Sequence, residues 1–246
     1  MNRMAAQLGG LLPNLAGPND RIRRLFAMVM NSVAIYGAPV WATEAGRSQK
    51  IKRVLRVTTA LAGTPPLEIL AAMHAENYEA FAEIKENFGP DGITPEMERQ
   101  IRSRSRETMI RNWKTWLEGP GHGGGELLRA IRSHVKEWMV GRIGLSFHAT
   151  QMLTGHGCFG QYLRRIGSEC TERCWHCDAE KDTARHTLRY FPAWEEQRAA
   201  LRREIGQDIT MPTIVRKLLQ NQAREAFLTF CSTVMRSKEN SERARE

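Results

Sequence analysis

Cys174, Cys177 and His186 form the pattern Cys-x2-Cys-x8-His inside the stretch "CWHCDAEKDTARHTLRYFPAW". A Cys-x-x-Cys turn lets two thiolates grip one ion. A histidine offered from a loop or helix start adds a third bond to a borderline-soft metal such as Zn²⁺. A structural zinc site has four protein ligands. The usual completion of this spacing is a cysteine five residues after the histidine. That position is Phe191, whose ring has no donor atom. Three candidates remain for the fourth place: Cys170, four residues before Cys174; His176, between the paired cysteines and expected to point away from them; and water. The alternative is a metal-free turn in which reduced thiols pack as small hydrophobes. Losing one thiolate removes a large share of the about 10–16 kcal/mol typical of structural zinc. Phe191→Cys is therefore expected to raise zinc affinity and local stability together.

His156 and Cys158, in "LTGHGCFGQYL", raise the question of a Cys–His nucleophile. Side chains two apart in sequence rarely face each other on a helix. The expectation is a structural turn shaped by Gly155, Gly157 and Gly160. Other signatures are missing. "GHGGGE" lacks the lysine of a phosphate-binding loop. There is no G-x-S-x-G and no H-E-x-x-H. No two aspartates stand side by side, as a two-metal polymerase centre would use. The sequence offers no self-contained active site.

The chain has 246 residues, 41% hydrophobic and 26% charged, enough for one large or two small domains with ample core. Its 36 Lys+Arg against 27 Asp+Glu give a net charge of +9. Such a surplus favours polyanion partners through phosphate contacts and counterion release, although a solvated basic surface accounts for part of it. Five cysteines, three of them at 170, 174 and 177, argue against a secreted disulfide framework and for metal binding in a reducing compartment. No apolar run approaches the ~18 residues of a membrane span. The N-terminal "MNRMAAQLGGLLPNLAG" lacks the pattern of a signal peptide. The expectation is an intracellular protein, nuclear or cytoplasmic, with no membrane partner.

Helical periodicity must position these residues. After "GPND", Ile22, Leu25, Phe26, Val29, Met30 and Val33 recur at spacings of three and four. Arg21, Arg23 and Arg24 sit at the start of that helix, the unfavourable end for its dipole, and are candidate phosphate contacts. "RSQKIKRVLRVTTALAG" predicts a second helix with a basic face of Lys50, Lys52, Arg53 and Arg56. "TPPLEILAAMHAENYEAFAEIKENF" opens with prolines at a helix start and carries Leu67, Leu70, Ala71, Ala75, Tyr78 and Phe81 along one side. "TPEMERQIRSRSRETMIRNWKTWLEG" predicts another helix, with Trp113 and Trp116 as core residues near its end. "GPGHGGG" is a flexible linker by composition. Beyond it, "ELLRAIRSHVKEWMVGRIG" reads as one helix, "SFHATQMLTGHGCFGQYLRRIG" as helix, turn, helix, and "FPAWEEQRAALRREIG" as a helix with proline near its start. The remainder gives two more. A small β-hairpin around the cysteines is the one place where strands are expected.

The segments "SVAIYGAPVWA", "LRVTTALAGTPPLEILA", "TQMLTGHGCFGQYLRRIG", "CWHCDAEKDTARHTL", "FPAWEEQRAAL" and "FCSTVMRSKENSERARE" occur in this order. Together they resemble the C-terminal part of a non-LTR (LINE-like) retrotransposon reverse transcriptase polyprotein, after the polymerase palm. The resemblance implies a helical thumb over residues 1–60, a helical connecting region over 61–118, a linker over 119–125, and a C-terminal helical region over 126–246 with a knuckle at 170–191. Two departures point to a decayed or truncated copy. "LRVTTALAG" is short between Arg56 and Ala62, and the last knuckle cysteine is Phe191.

The expected fold is therefore mainly α: a thumb-like helical unit followed by a helical unit around a degenerate zinc knuckle. The metal ligands expected are Cys174, Cys177 and His186, with Cys170 as a candidate, and zinc as the cofactor. The expected nucleic-acid contacts are Arg21, Arg23, Arg24, Lys50, Lys52, Arg53, Arg56, Arg164 and Arg165. The resemblance implies a nucleic-acid-binding fragment of an RNA-directed DNA polymerase, without palm or endonuclease, on element RNA or target DNA. The alternatives are a decayed helical protein without activity and an enzyme using an open three-ligand zinc.

Overall fold

The computed structural model describes residues 59–118, 125–141, 143–177 and 179–245. Among them there are helices and turns and no strand, so the fold is mainly α. Of the expected thumb-like segment only Thr59 and Ala60 are described. The basic positions Arg21, Arg23, Arg24, Lys50, Lys52, Arg53 and Arg56 lie outside the described residues, as do 119–124 of the linker. The described residues divide into two compact units, 59–118 and 125–245. No helix among the described residues is long and apolar enough to cross a membrane.

The first unit is built on a helical hairpin. α1 spans Leu67–Phe88 and α2 spans Pro95–Glu118. Pro66 precedes α1, and Gly89 ends it at φ 83°, a left-handed value that a side chain would strain. Thr94 opens α2, where its hydroxyl accepts the Met97 N–H at 3.2 Å. Ser105, Met109, Trp113 and Leu117 recur every four residues on α2 and are buried. The indole of Trp116, on the next face, donates to Glu68 of α1. Most of the apolar side read along α1 is not core. Ala71, Ala75 and Tyr78 are exposed, and the buried residue nearest them is Ile69. α2 packs along α1, and at Phe81 it presents a guanidinium, Arg102, 5.8 Å from the ring.

Among the described residues of the second unit, eight helices enclose one core. They are α3 (Gly125–Ser133), α4 (Val135–Val140), α5 (Phe147–Thr154), α6 (Gly160–Ile166), α7 (Ala184–Arg189), α8 (Glu195–Ile205), α9 (Met211–Leu219) and α10 (Arg224–Arg243). A short 3-10 turn, Pro192–Trp194, precedes α8. α3 packs on α9, and α10 packs on both α5 and α8. The single helix expected over 126–144 is two, broken at His134, where φ is −130° and ψ is 31°. The break lets Ile131, Val135 and Trp138 all turn inward.

α5 begins at Ser146, whose hydroxyl accepts the Ala149 N–H at 3.1 Å, and ends at left-handed Gly155. α10 carries Phe227, Phe230, Cys231, Val234 and Met235 inward at spacings of three, one, three and one. Lys238 continues the same stripe and is only 2% exposed. Arg224, at the start of α10, donates to the carbonyls of Ile143 and Gly144 at 2.6 and 2.9 Å, fixing the loop before α5.

Candidate metal centre

The cysteine loop runs from the end of α6 to the start of α7. The expected hairpin is not a pair of strands. Two backbone bonds close the loop instead: Cys174 N–H to Ala179 C=O at 3.0 Å, and Asp182 N–H to Glu172 C=O at 2.7 Å. The turn between Cys174 and Cys177 brings their sulfurs within 4.8 Å of each other. Thr183 then caps α7, its hydroxyl accepting the His186 N–H at 3.0 Å. This cap sets the first turn of α7, so His186 is held facing the thiols.

One ligand atom each from Cys174, Cys177 and His186 lies within 4.8 Å of the others. Cys177 Sγ and His186 Nε2 are 3.3 Å apart. Bond lengths of about 2.0–2.3 Å place the ligand atoms of a tetrahedral zinc about 3.3–3.8 Å from one another, so a small contraction closes this set on an ion. Two sulfurs and one imidazole suit zinc chemically. Cys174 is buried, whereas Cys177 and His186 are half-buried.

Electrostatics set what a metal must displace. Burial, with a further push from the Asp182 carboxylate, raises the Cys174 thiol to about 11 against the lowering effect of a backbone hydrogen bond at His176. Burial lowers the pKa of His186; Lys238 and Arg198 add to this and Asp182 opposes it. The imidazole is thus neutral near pH 7, the form that ligates metal.

Phe191, at the expected fourth-ligand position, is wholly buried. Its ring lies 5.1 Å from that of His186 and 5.5 Å from that of Trp194, edge-on to the latter. Its carbonyl accepts a bond from the buried guanidinium of Arg198. Phe191 is a core residue beside His186. His176 packs its ring against Phe191 and Trp194, at 5.9 and 5.7 Å, and does not join the ligands. Cys170 is exposed and also lies outside the group. Among the described residues, no fourth ligand completes it.

Asp182 anchors the loop from behind. Its carboxylate accepts the Gly160 N–H at 3.1 Å and both bonds of Lys238 Nζ, at 2.9 and 2.8 Å. The Lys238 ammonium also lies 5.4 Å from the Phe159 ring and 5.9 Å from the Phe191 ring. Gly160 is required here. A Cβ on it would stand 2.8 Å from the carbonyl oxygens of both Glu172 and Arg173. The sequence reading missed Asp182 and Lys238. The position of Lys238 on the apolar stripe of α10 is the signal that identifies it.

His156 and Cys158 do not form a pair. The His156 ring stands edge-on to Tyr162 at 4.8 Å, while the Cys158 thiol donates to Glu242 of α10 at 2.7 Å. Burial and the Glu242 carboxylate push the Cys158 pKa far up, the opposite of an activated nucleophile. Arg164 and Arg165 are exposed in the last turn of α6. Arg164 reaches Glu172 at 3.6 Å, and Arg165 lies 5.0 Å over the Tyr162 ring. Between the paired cysteines, Trp175 is 51% exposed, a residue the spacing argument passed over. Compared with protein-family models, curated proteins and solved structures, the chain matches none of them.

Proposed function

We propose that the chain works as the nucleic-acid-binding C-terminal part of a non-LTR retrotransposon reverse transcriptase, built around a zinc knuckle that keeps three protein ligands. The observation that carries this reading is the gathering of Cys174, Cys177 and His186 within 4.8 Å, in a chain whose segments resemble that family's. Zinc held by these three residues fixes the geometry of the loop between α6 and α7. The loop presents Trp175, and Arg164 and Arg165 stand at its edge. The +9 charge supplies affinity for the phosphate backbone of element RNA or target DNA. Polymerisation in that family belongs to the palm, and no two aspartates stand side by side in these 246 residues. The place of work is the nucleus or cytoplasm.

The test is a titration of the protein with labelled duplex DNA and with RNA at several salt concentrations. Six phosphate contacts give a slope of log K against log[salt] of about −5 on duplex DNA. A flat salt dependence rejects the reading. The same preparation is expected to extend no primer on an RNA template with dNTPs and Mg²⁺. A metal assay is expected to find about one zinc per chain. Turnover of a substrate that stops with chelator and returns with zinc would instead favour an enzyme with an open zinc position.

A further inference from the structure

We infer that the α1–α2 hairpin of the first unit docks on a second copy of this chain, making a two-fold pair through the solvent face of α1. The inference is independent of the metal centre and of nucleic-acid binding. Tyr78, Phe81 and Phe88 follow one another along α1 at spacings of three and seven, so they share one stripe of the helix. Tyr78 is 76% exposed and Phe88 71%, while Phe81 is half-buried. Tyr78, Phe81, Ala82 and Ile93 line an open groove of about 400 Å³, which α2 edges with Glu98 and Arg102. Large apolar side chains gathered on a surface mark an interaction site, and aromatic residues are enriched at the centre of interfaces.

Charge selects the occupant. On one side of the stripe α2 presents Arg102, with Arg99 and Arg106 three and four residues away on the same side of that helix. Glu96 and Glu98 steer Arg99 and Arg102 at 2.6 and 2.7 Å, but α2 keeps a basic surplus, five arginines and a lysine against four glutamates. On the other side, beyond exposed Ala75 and Ala82, α1 carries Glu79, Glu83 and Glu86, all exposed. The helix as a whole has five glutamates against one lysine. Across the hairpin the surface thus runs basic, aromatic, acidic. A polyanion is repelled by the glutamate edge and a polycation by the arginine edge. A second copy satisfies both. A two-fold axis parallel to α1 sets the glutamate edge of each copy over the arginine edge of the other, with the aromatic stripes between them. An antiparallel pairing would set like edges together.

The test is sedimentation of the nuclease-treated full chain, 28.0 kDa, over about 1 to 100 µM. The wild type is expected to pass from monomer to dimer with concentration. Glu79→Lys with Glu86→Lys makes both edges basic, and Arg102→Glu with Arg106→Glu makes both acidic. Each variant is expected to weaken the dimer about tenfold or more. An equimolar mixture of the two is expected to restore a dimer close to wild-type strength, which also shows that both are folded. Tyr78→Ala with Phe88→Ala is expected to weaken the dimer about tenfold or more, with far-UV circular dichroism unchanged. A wild type that stays monomeric throughout the range overturns the inference. So does a dimer indifferent to the charge swaps, or a mixture no stronger than its components. These outcomes leave the nucleic-acid reading untouched, since no probe strand is present.

Discussion

Lys238 places its ammonium 2.9 and 2.8 Å from the two carboxylate oxygens of Asp182, and both side chains are almost fully buried. The pair joins α10 to the loop that carries the metal ligands, 56 residues away in sequence. A buried pair contributes little net stability over an apolar one, but removing one member strands the other. Lys238→Met is therefore expected to destabilise the second unit by about 3–5 kcal/mol. Lys238→Met with Asp182→Leu is expected to recover part of that loss, the Gly160 N–H being left without its acceptor. Urea unfolding of the single and double variants measures both, and a double variant no better than the single one contradicts this account.

Phe191→Cys sets ligation against packing. The new thiol supplies a fourth ligand, so zinc affinity is expected to rise. The lost ring leaves a cavity beside His186 and Trp194, and removing a buried phenylalanine costs about 3–5 kcal/mol. The burial of Phe191 thus revises the simple expectation that affinity and stability rise together. The variant is expected to melt earlier than wild type in EDTA and to gain more than wild type from added zinc. Thermal scans of both proteins, with and without metal, give the four numbers needed.

Cys170→Ala is expected to leave zinc affinity unchanged, because Cys170 is exposed and lies outside the ligand group. Cys174→Ala is expected to lower it at least tenfold (~1.4 kcal/mol), because it removes the buried thiolate. Competition with a chromophoric chelator separates the two. Metal release by Cys170→Ala alone would show that this residue completes the site.

Zinc affinity is expected to rise with pH, and the sign follows from the two shifts. Cys174 must lose a proton to bind, and its thiol is pushed up to about 11, so protons compete with metal throughout the neutral range. His186 is held below its ordinary value and competes only in acid. Between pH 7 and 9 the rise is therefore thiol-driven, and His186→Ala is expected to lower affinity without changing its slope against pH. Chelator competition at pH 7, 8 and 9 provides the check; a slope that flattens in the alanine variant would assign the proton to the imidazole.

Much of the helical order was legible in the sequence because its signals are local. Thr94 before Pro95, Ser146 before α5 and the left-handed glycine after it are signals carried by a few adjacent residues. The metal triad was legible for the same reason: thirteen positions, 174 to 186, hold all of it. What could not be read was what lies across the fold. Tyr78 looks like core by spacing, yet it is exposed, because burial depends on which side of α1 the partner helix covers. Phe191 reads as a lost ligand, and its place in the core depends on His186, Trp194 and Arg198 meeting around it. Lys238 sits on the apolar stripe of α10, but its partner Asp182 lies 56 residues away, where no local signal pairs the two.

The reliance of Asp182 on Lys238 also sets an order of events on the ribosome. The cysteine loop emerges 56 residues before its counter-charge is made. At about 5–20 residues per second, that interval is roughly 3–11 s. Throughout it the Asp182 carboxylate must stay hydrated, and the thiols of the nascent loop stay accessible. The helix that carries Lys238, α10, is the one that closes this window.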